Sequence, residues 1–382
     1  MKQIIISLAF FFSICSYGQE TASPVKQGNI YSHGAQLQEV MDRFTVKDLP
    51  GISVAVYSAE EGWWTGSSGY SRTETKSKMT ENNLQYIQSV SKTFMAVAIL
   101  KLHEQGRIRL EEPMTKYLPG KYRSWIKNAD RITVKMLLSH TSGIAEYVTD
   151  PEYIRTVLLT PLKVAVMSDV LQCLENEAPQ FEPGERYLYT NTNFTLLALM
   201  ADFITGDHAS YITANIFKPL GLKNTYYRND KIYLNNPRLV DSYWDLLNSG
   251  RPANVTPMQK ANVAALIGDD GIICTPSDAV KFLAGLMEGR LLKDSSLALM
   301  KQWVRNSEGR EVYGLGLIRF EFNGLVGYGH GGGGIGSGCA LIYVPSKNTY
   351  VFLATNIGCV WDGTPAIKAS EMRDELCKII FQ

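Results

Sequence analysis

No Cys-x-x-Cys pair occurs in the chain, and its five histidines, His33, His103, His140, His208 and His330, are scattered. Without closely spaced sulfur and imidazole ligands no metal site is readable, and no cofactor is expected. Runs of lysine or arginine are also missing, and 38 basic residues against 37 acidic ones leave a formal net charge of +1. That balance argues against nucleic acid or an anionic membrane surface as a partner. Beyond the N-terminus no apolar run is long enough to span a bilayer. No internal repeat or low-complexity segment is present. After Cys15 the cysteines are Cys173, Cys274, Cys339, Cys359 and Cys377, odd in number and irregular in spacing. This is not a disulfide framework, although one incidental bridge is compatible with an oxidising compartment.

The 382 residues are 45% apolar, 20% charged and 10% aromatic, an ordinary globular balance. Such a length accommodates two domains, or one large domain carrying an insertion. Met1-Lys2-Gln3 precedes an apolar segment over residues 4–14, and Ser16-Tyr17-Gly18 then sets small residues three and one before a cut. This is the layout of a secretory signal peptide, cleaved after Gly18, and it predicts a periplasmic or secreted product. Ile14 is a poor predecessor for a lipidated Cys15, so a lipoprotein is not expected.

Leu37, Val40, Met41 and Phe44 recur at helical spacing. Residues 51–56 alternate like a strand, and Trp63-Trp64-Thr65-Gly66 reads as its hairpin partner across Ala59-Glu60-Glu61-Gly62. The middle of the chain is mostly helical in pattern, with loops rich in tyrosine, proline and asparagine such as Asn235-Asn236-Pro237. Strand character returns in residues 340–344 and 350–354 around the turn Pro345-Ser346-Lys347-Asn348. A closing amphipathic helix is expected through Ile367, Met372, Leu376, Ile379 and Ile380. The fold class is therefore α+β: one antiparallel sheet built from both chain ends, flanked by terminal helices, with a mostly helical insertion. The expected division is 1–18 for the signal, 19–88 with 265–382 for the sheet domain and 89–264 for the helical domain, with the active site between the last two.

Three clusters carry chemistry. Ser89-Val90-Ser91-Lys92 opens an apolar helical run containing Phe94, Val97, Ala98, Leu100 and Leu102. Residues three apart share a helix face, so Lys92 reaches Ser89. A serine hydroxyl needs a neighbouring base, and a lysine kept neutral by burial or by another cation can supply it. A helix start adds free N–H groups and a dipole favouring negative charge. The spacing alone is common by chance. The second cluster, Tyr189-Thr190-Asn191, precedes another helix, residues 194–204. There a tyrosine can relay protons and an asparagine can grip an amide; a structural tyrosine beside a turn asparagine is the plainer alternative. The third, Tyr328-Gly329-His330-Gly331-Gly332-Gly333-Gly334, runs towards a strand. No Gly-Lys-Ser/Thr follows it, which excludes a phosphate loop. Glycine this dense signals close approach to the backbone, as beside a bound peptide-like substrate.

In this order the clusters resemble those of the serine β-lactamase and D-alanyl-D-alanine peptidase superfamily, in its class C-like branch. Supporting segments are 132–143, 217–222 and 271–278, and the likeness runs over roughly residues 35–380. The resemblance implies a β-lactamase/transpeptidase-like fold with Ser89 as acylated nucleophile, Lys92 as its activating partner and Tyr189 as proton shuttle. Asn191 would hold the substrate amide. The third motif, His330-Gly331-Gly332, would help to bind substrate, His330 anchoring a carboxylate or orienting Tyr189. The oxyanion hole would be the backbone N–H groups of Ser89 and Gly333. His140, within Ser139-His140-Thr141-Ser142-Gly143, tempts a serine–histidine pairing, but the resemblance places it in a structural turn. Class C β-lactamases usually carry lysine where this chain has His330. Histidine there is closer to the D-alanyl-D-alanine carboxypeptidases and D-aminopeptidases. The expected substrates are thus D-amino-acid peptides or related amides. A β-lactamase, a family esterase and a non-catalytic peptide- or muropeptide-binding protein are the alternatives. A small-molecule or peptide substrate is the partner these readings share; oligomeric state is left open.

Overall fold

The computed structural model describes residues 31–358 and 363–382, so the signal-peptide segment and Cys359 lie outside the described residues. A nine-stranded antiparallel sheet dominates. Its strands run, from one edge to the other, Ser77–Lys78, Gly62–Arg72, Gly51–Ser58, Thr349–Thr355, Ser337–Val344, Leu325–Gly334, Ile318–Phe322, Glu311–Tyr313 and Val304–Arg305. Gly51–Ser58 pairs with Gly62–Arg72 on one side (Tyr57 opposite Trp63) and with Thr349–Thr355 on the other (Val54 opposite Leu353). Both ends of the chain therefore meet in the middle of one sheet, as the strand spacing predicted.

The period-2 alternation of residues 51–56 divides the strand between two cores. Ile52, Val54 and Val56 face a core closed by Leu37, Val40, Met41 and Phe44 of the helix Gly34–Lys47 and by Met372, Leu376 and Ile380 of the helix Thr364–Ile380. Ile367 was expected on that C-terminal stripe, yet it is 55% exposed. At 100° per residue it stands about 140° away from Met372 around the helix, off the buried face. Ala55, Leu341 and Phe352 face the opposite way, into a larger core shared with the helices Ser91–Glu104 and Pro276–Met287. Residues 91–100 of the first of these are all buried, so that helix is packed on every side.

A second, three-stranded sheet of Gln85–Tyr86, Ile273–Cys274 and Thr225–Tyr226 positions the site. Its pairing draws Ile272 against the turn ahead of the central helix. Ile87 N–H donates to the Ile272 carbonyl at 3.2 Å, and Ile272 N–H donates to Ser91 Oγ at 3.2 Å. Among the described residues Cys173, Cys274 and Cys377 are free thiols. No helix among them is long and apolar enough to cross a membrane.

Candidate active site

Ser89 lies in the 3-10 turn Gln88–Val90, which runs directly into the helix Ser91–Glu104. Helical backbone through Val90 and Ser91 keeps Lys92 on the same face as Ser89. Lys92 Nζ lies 2.9 Å from Ser89 Oγ, 2.7 Å from Asn191 Oδ1 and 2.8 Å from the Asp269 carbonyl oxygen. A neutral amine would spend two N–H on Asn191 and Asp269 and accept the serine proton on its lone pair; an ammonium would donate to all three. Burial works to lower the Lys92 pKa, but Tyr189, Asp269 and Asp270 outweigh it and hold it above the ordinary lysine range. The resting side chain is therefore an ammonium, which corrects the expectation of an amine kept neutral by burial.

Tyr189 and Asn191 flank Thr190, the extended N-cap of the helix Asn191–Thr205. Asn191 is clamped at both ends of its amide. Its Oδ1 accepts from Lys92, while its Nδ2 and backbone N–H donate to Glu146 Oε2 at 3.1 and 2.6 Å. Burial raises the pKa of Glu146, and the backbone N–H groups of Asn191 and Val148 oppose the rise. The Tyr189 ring centroid stands 5.2 Å from Lys92 Nζ and 4.3 Å from the His140 ring. His140 bonds to the start of the helix after the tyrosine, at Thr190 and Asn193, rather than to Ser89. Its Nδ1 accepts from the Thr190 N–H at 3.3 Å, and burial holds its pKa well below the usual imidazole value. It is a neutral prop behind the tyrosine loop, in keeping with a structural turn.

The glycine strand Leu325–Gly334 passes the serine turn on its other side. A Cβ at Gly332 would sit 2.6 Å from the Ile87 carbonyl oxygen and 2.9 Å from Gln88 Cβ, and one at Gly334 would strike the Gln88 amide. Glycine is required here because the serine turn itself lies on the strand. Gln88 adopts φ 48° and anchors the turn by donating from Nε2 to Ser337 Oγ at 2.5 Å. His330 is only 1% exposed. Its Nε2 pairs with the Tyr313 hydroxyl at 3.0 Å and its Nδ1 with the Gly331 carbonyl at 2.6 Å. A carbonyl only accepts, so Nδ1 carries the proton and Nε2 accepts from the phenol. Burial, with Lys92 adding to it, pushes the His330 pKa down to about 3. The carboxylate-anchoring role expected for His330 is corrected on this ground: the ring is neutral and both its nitrogens are engaged within the fold. Its ring centroid lies 6.2 Å from that of Tyr189, behind the tyrosine rather than at the cleft surface.

These parts open on a cleft of about 370 Å³ whose lining includes Ser89, Tyr189, Asn191, Asp269, Asp270 and Gly333. Both expected oxyanion residues, Ser89 and Gly333, thus border one space. Sequence reasoning missed the acids. Asp269 accepts from the Tyr147 hydroxyl at 2.8 Å as well as offering its carbonyl to Lys92. Asp270 accepts from the Gly271 N–H at 2.6 Å, and burial first, then Asp269, raise its pKa to about 7. The available signal was Gly268-Asp269-Asp270-Gly271, two adjacent acids between glycines of positive φ and within an apolar stretch. Glu146, three residues after Gly143, carried no comparable local mark.

A family model described as Beta-lactamase matches residues 37–358. Penicillin-binding protein 4* of Bacillus subtilis is 27% identical over 306 residues, covering 75% of this chain and 64% of that protein. Protein flp of Staphylococcus aureus is 29% identical over 181 residues, 47% of this chain and 35% of that one. The chain thus spans about two thirds or less of the length of these relatives. A D-stereospecific amidohydrolase from Streptomyces sp. superimposes with a TM-score of 0.77 at 27% identity, over 88% of this chain and 97% of that one. The D-amino acid amidase of Ochrobactrum anthropi SV3, at 23% identity, shares the fold with a TM-score of 0.78 over 91% and 98% of the two chains.

Proposed function

From a chain that belongs to the Beta-lactamase family, matched over residues 37–358, we propose an exported serine hydrolase that cleaves D-amino-acid peptides or related amides through an acyl-enzyme. The observation that carries the reading is the buried Lys92 ammonium 2.9 Å from Ser89 Oγ, with Tyr189 over the same amine. Ser89 Oγ attacks the substrate carbonyl carbon as its proton moves to the Tyr189 phenol oxygen and the phenol's own proton moves on to the leaving nitrogen, with the Lys92 ammonium offsetting the partial negative charge on that oxygen during the exchange. The bond to the leaving amine breaks with that transfer, and water then hydrolyses the serine ester by the reverse relay. The N–H groups of Ser89 and Gly333 hold the oxyanion; losing one such donor costs about 3 kcal/mol. Asn191, fixed between Lys92 and Glu146, supports the amine and presents its amide edge to the cleft. The cleft lies, in this reading, between a sheet domain (19–88 and 265–382) and a helical domain (89–264).

The neutral His330 favours amide or N-terminal cleavage over carboxypeptidase or β-lactamase action, because its ring carries no charge for a terminal carboxylate. The amidohydrolase activity named for the Streptomyces protein points the same way. An esterase using the same serine is the second reading, since an ester likewise needs no carboxylate anchor. The deciding experiment is a panel of D-amino-acid amides, D-Ala-D-Ala peptides, nitrocefin and short nitrophenyl esters on wild type and Ser89→Ala. Amide turnover lost in the variant is expected. Turnover of esters alone would favour the esterase, and a fluorescent-penicillin adduct persisting in Ser89→Ala would sink the acyl-enzyme reading. Export is tested by N-terminal sequencing of the mature protein, expected to start at Gln19.

A further inference from the structure

The cleft containing Ser89 is also lined by Val148, Ile154, Val157, Leu158, Leu266 and Ile335, and among the described residues its lining includes no lysine or arginine, Lys92 lying beneath Ser89. Three of these apolar residues come from the short helix Pro151–Leu159, whose start is set by Pro151 and by Asp150 accepting from the Glu152 and Tyr153 N–H groups at 3.0 and 2.9 Å. Ile154, Val157 and Leu158 are spaced three and four apart, so they share one face. No residue of this helix is fully buried. Its apolar face is therefore not consumed by the core; it borders the cleft. Leu159, which ends this helix, and Leu162, Val164 and Val166 beyond it are also exposed, by 67%, 69%, 50% and 60%. The titratable acids in that lining, Asp269 and Asp270, offer no positive charge with which to hold an anionic substrate.

We propose that this wall is the subsite for an extended, uncharged apolar arm on the acyl side of the substrate, and that Ile154, Val157 and Leu158 set the preference. The inference rests on the proposed acylation of Ser89: the serine oxygen forms an ester to the arm-bearing carbonyl, the leaving group departs with the serine proton, and the arm lies along the helix. It adds a substrate class that the three motifs do not specify. Burying each methylene of the arm raises kcat/KM by roughly two- to fourfold, the usual yield of removing a CH₂ from water in partial or full contact.

The test uses 4-nitrophenyl acetate, butyrate, hexanoate and octanoate, together with the mono-4-nitrophenyl ester of adipic acid, which matches hexanoate in chain length but ends in a carboxylate. Wild type should favour hexanoate over acetate by at least tenfold in kcat/KM and hexanoate over adipate by a similar factor. In Ile154→Ala/Leu158→Ala the hexanoate-to-acetate ratio should fall at least threefold; because acetate is the internal reference, a general loss of folded protein does not move the ratio. A flat or falling chain-length series, equal use of adipate, or an unchanged ratio in the double variant would overturn the proposal. Intact-mass labelling by diisopropyl fluorophosphate separates the two levels. Labelled Ser89 with a flat series sinks only the subsite, whereas no label and no ester turnover sinks the acyl-enzyme reading beneath it.

Discussion

Asp270→Asn should make the protein more stable above neutral pH while leaving its stability near about pH 4 almost unchanged. Asp270 is buried, with its Oδ1 on the Gly271 N–H at 2.6 Å and Asp269 beside it. Burial and then Asp269 raise its pKa from 3.8 to about 7, against the opposing pull of the Gly271 N–H and Lys92. An acid whose pKa rises on folding keeps its proton over a range in which the unfolded chain has released it. Stability therefore falls as pH climbs from 3.8 to about 7, and stays at the lower level beyond. At about 1.36 kcal/mol per pKa unit the whole window amounts to about 4 kcal/mol. Asparagine keeps an acceptor for Gly271 and has no charge to expel, so the variant lacks this slope. For a chain of this size the difference corresponds to a Tm shift on the order of 5 °C. Thermal unfolding of wild type and variant at about pH 5 and about pH 8 measures it, with the Tm gap widening in favour of the variant at the higher pH. A gap that is the same at both pH values, or that favours wild type at the higher one, refutes the account of a desolvated carboxyl held near neutrality.

Lys92→Met should lower kcat by at least about a thousandfold and destabilise the fold by about 2–4 kcal/mol, since Asn191 Oδ1 and the Asp269 carbonyl lose their buried donor; acylation kinetics and urea unfolding report the two losses separately. Gly332→Ala puts a methyl against the Ile87 carbonyl and Gln88, and is expected to cost about 1–3 kcal/mol and slow acylation by moving the Ser89 turn; normal acylation in a stable variant would contradict the close approach. His330→Gln should flatten the acid limb of the stability curve. The folded imidazole resists protonation down to about 3 whereas the unfolded one charges near 6.5, so wild type loses stability as pH falls through that interval. The loss reaches about 3 kcal/mol by about pH 4.5, and thermal melts across that range detect it. An activity limb near pH 6.5 in wild type that vanishes in His330→Gln would show a titrating histidine and reverse the neutral assignment.

Much of the site was legible in the chain because its signals are local. Ser89 and Lys92 lie one helical turn apart, Tyr189 and Asn191 are next-nearest neighbours at a helix cap, and both spacings survive in the structure. The sheet likewise follows from alternation in residues 51–56 and 340–344, and the N-terminal helix from the stripe at Leu37, Val40, Met41 and Phe44. Partnership across long separations carried no such mark. Asp269 meets Lys92 over a gap of 177 residues, and Gln88 meets Ser337 over 249. Glu146, which holds Asn191, and the apolar helix face at Ile154, Val157 and Leu158 enter the cleft only through packing. Charge state was decided at the same level. A sequence names a lysine and a histidine, but Lys92 holds its proton because Tyr189 and two aspartates fold around it, and His330 loses its own because burial beside that cation strips its solvation. Spacing along the chain selected the reactive groups; the dielectric and the neighbours that set their ionisation exist only once distant segments have closed over them.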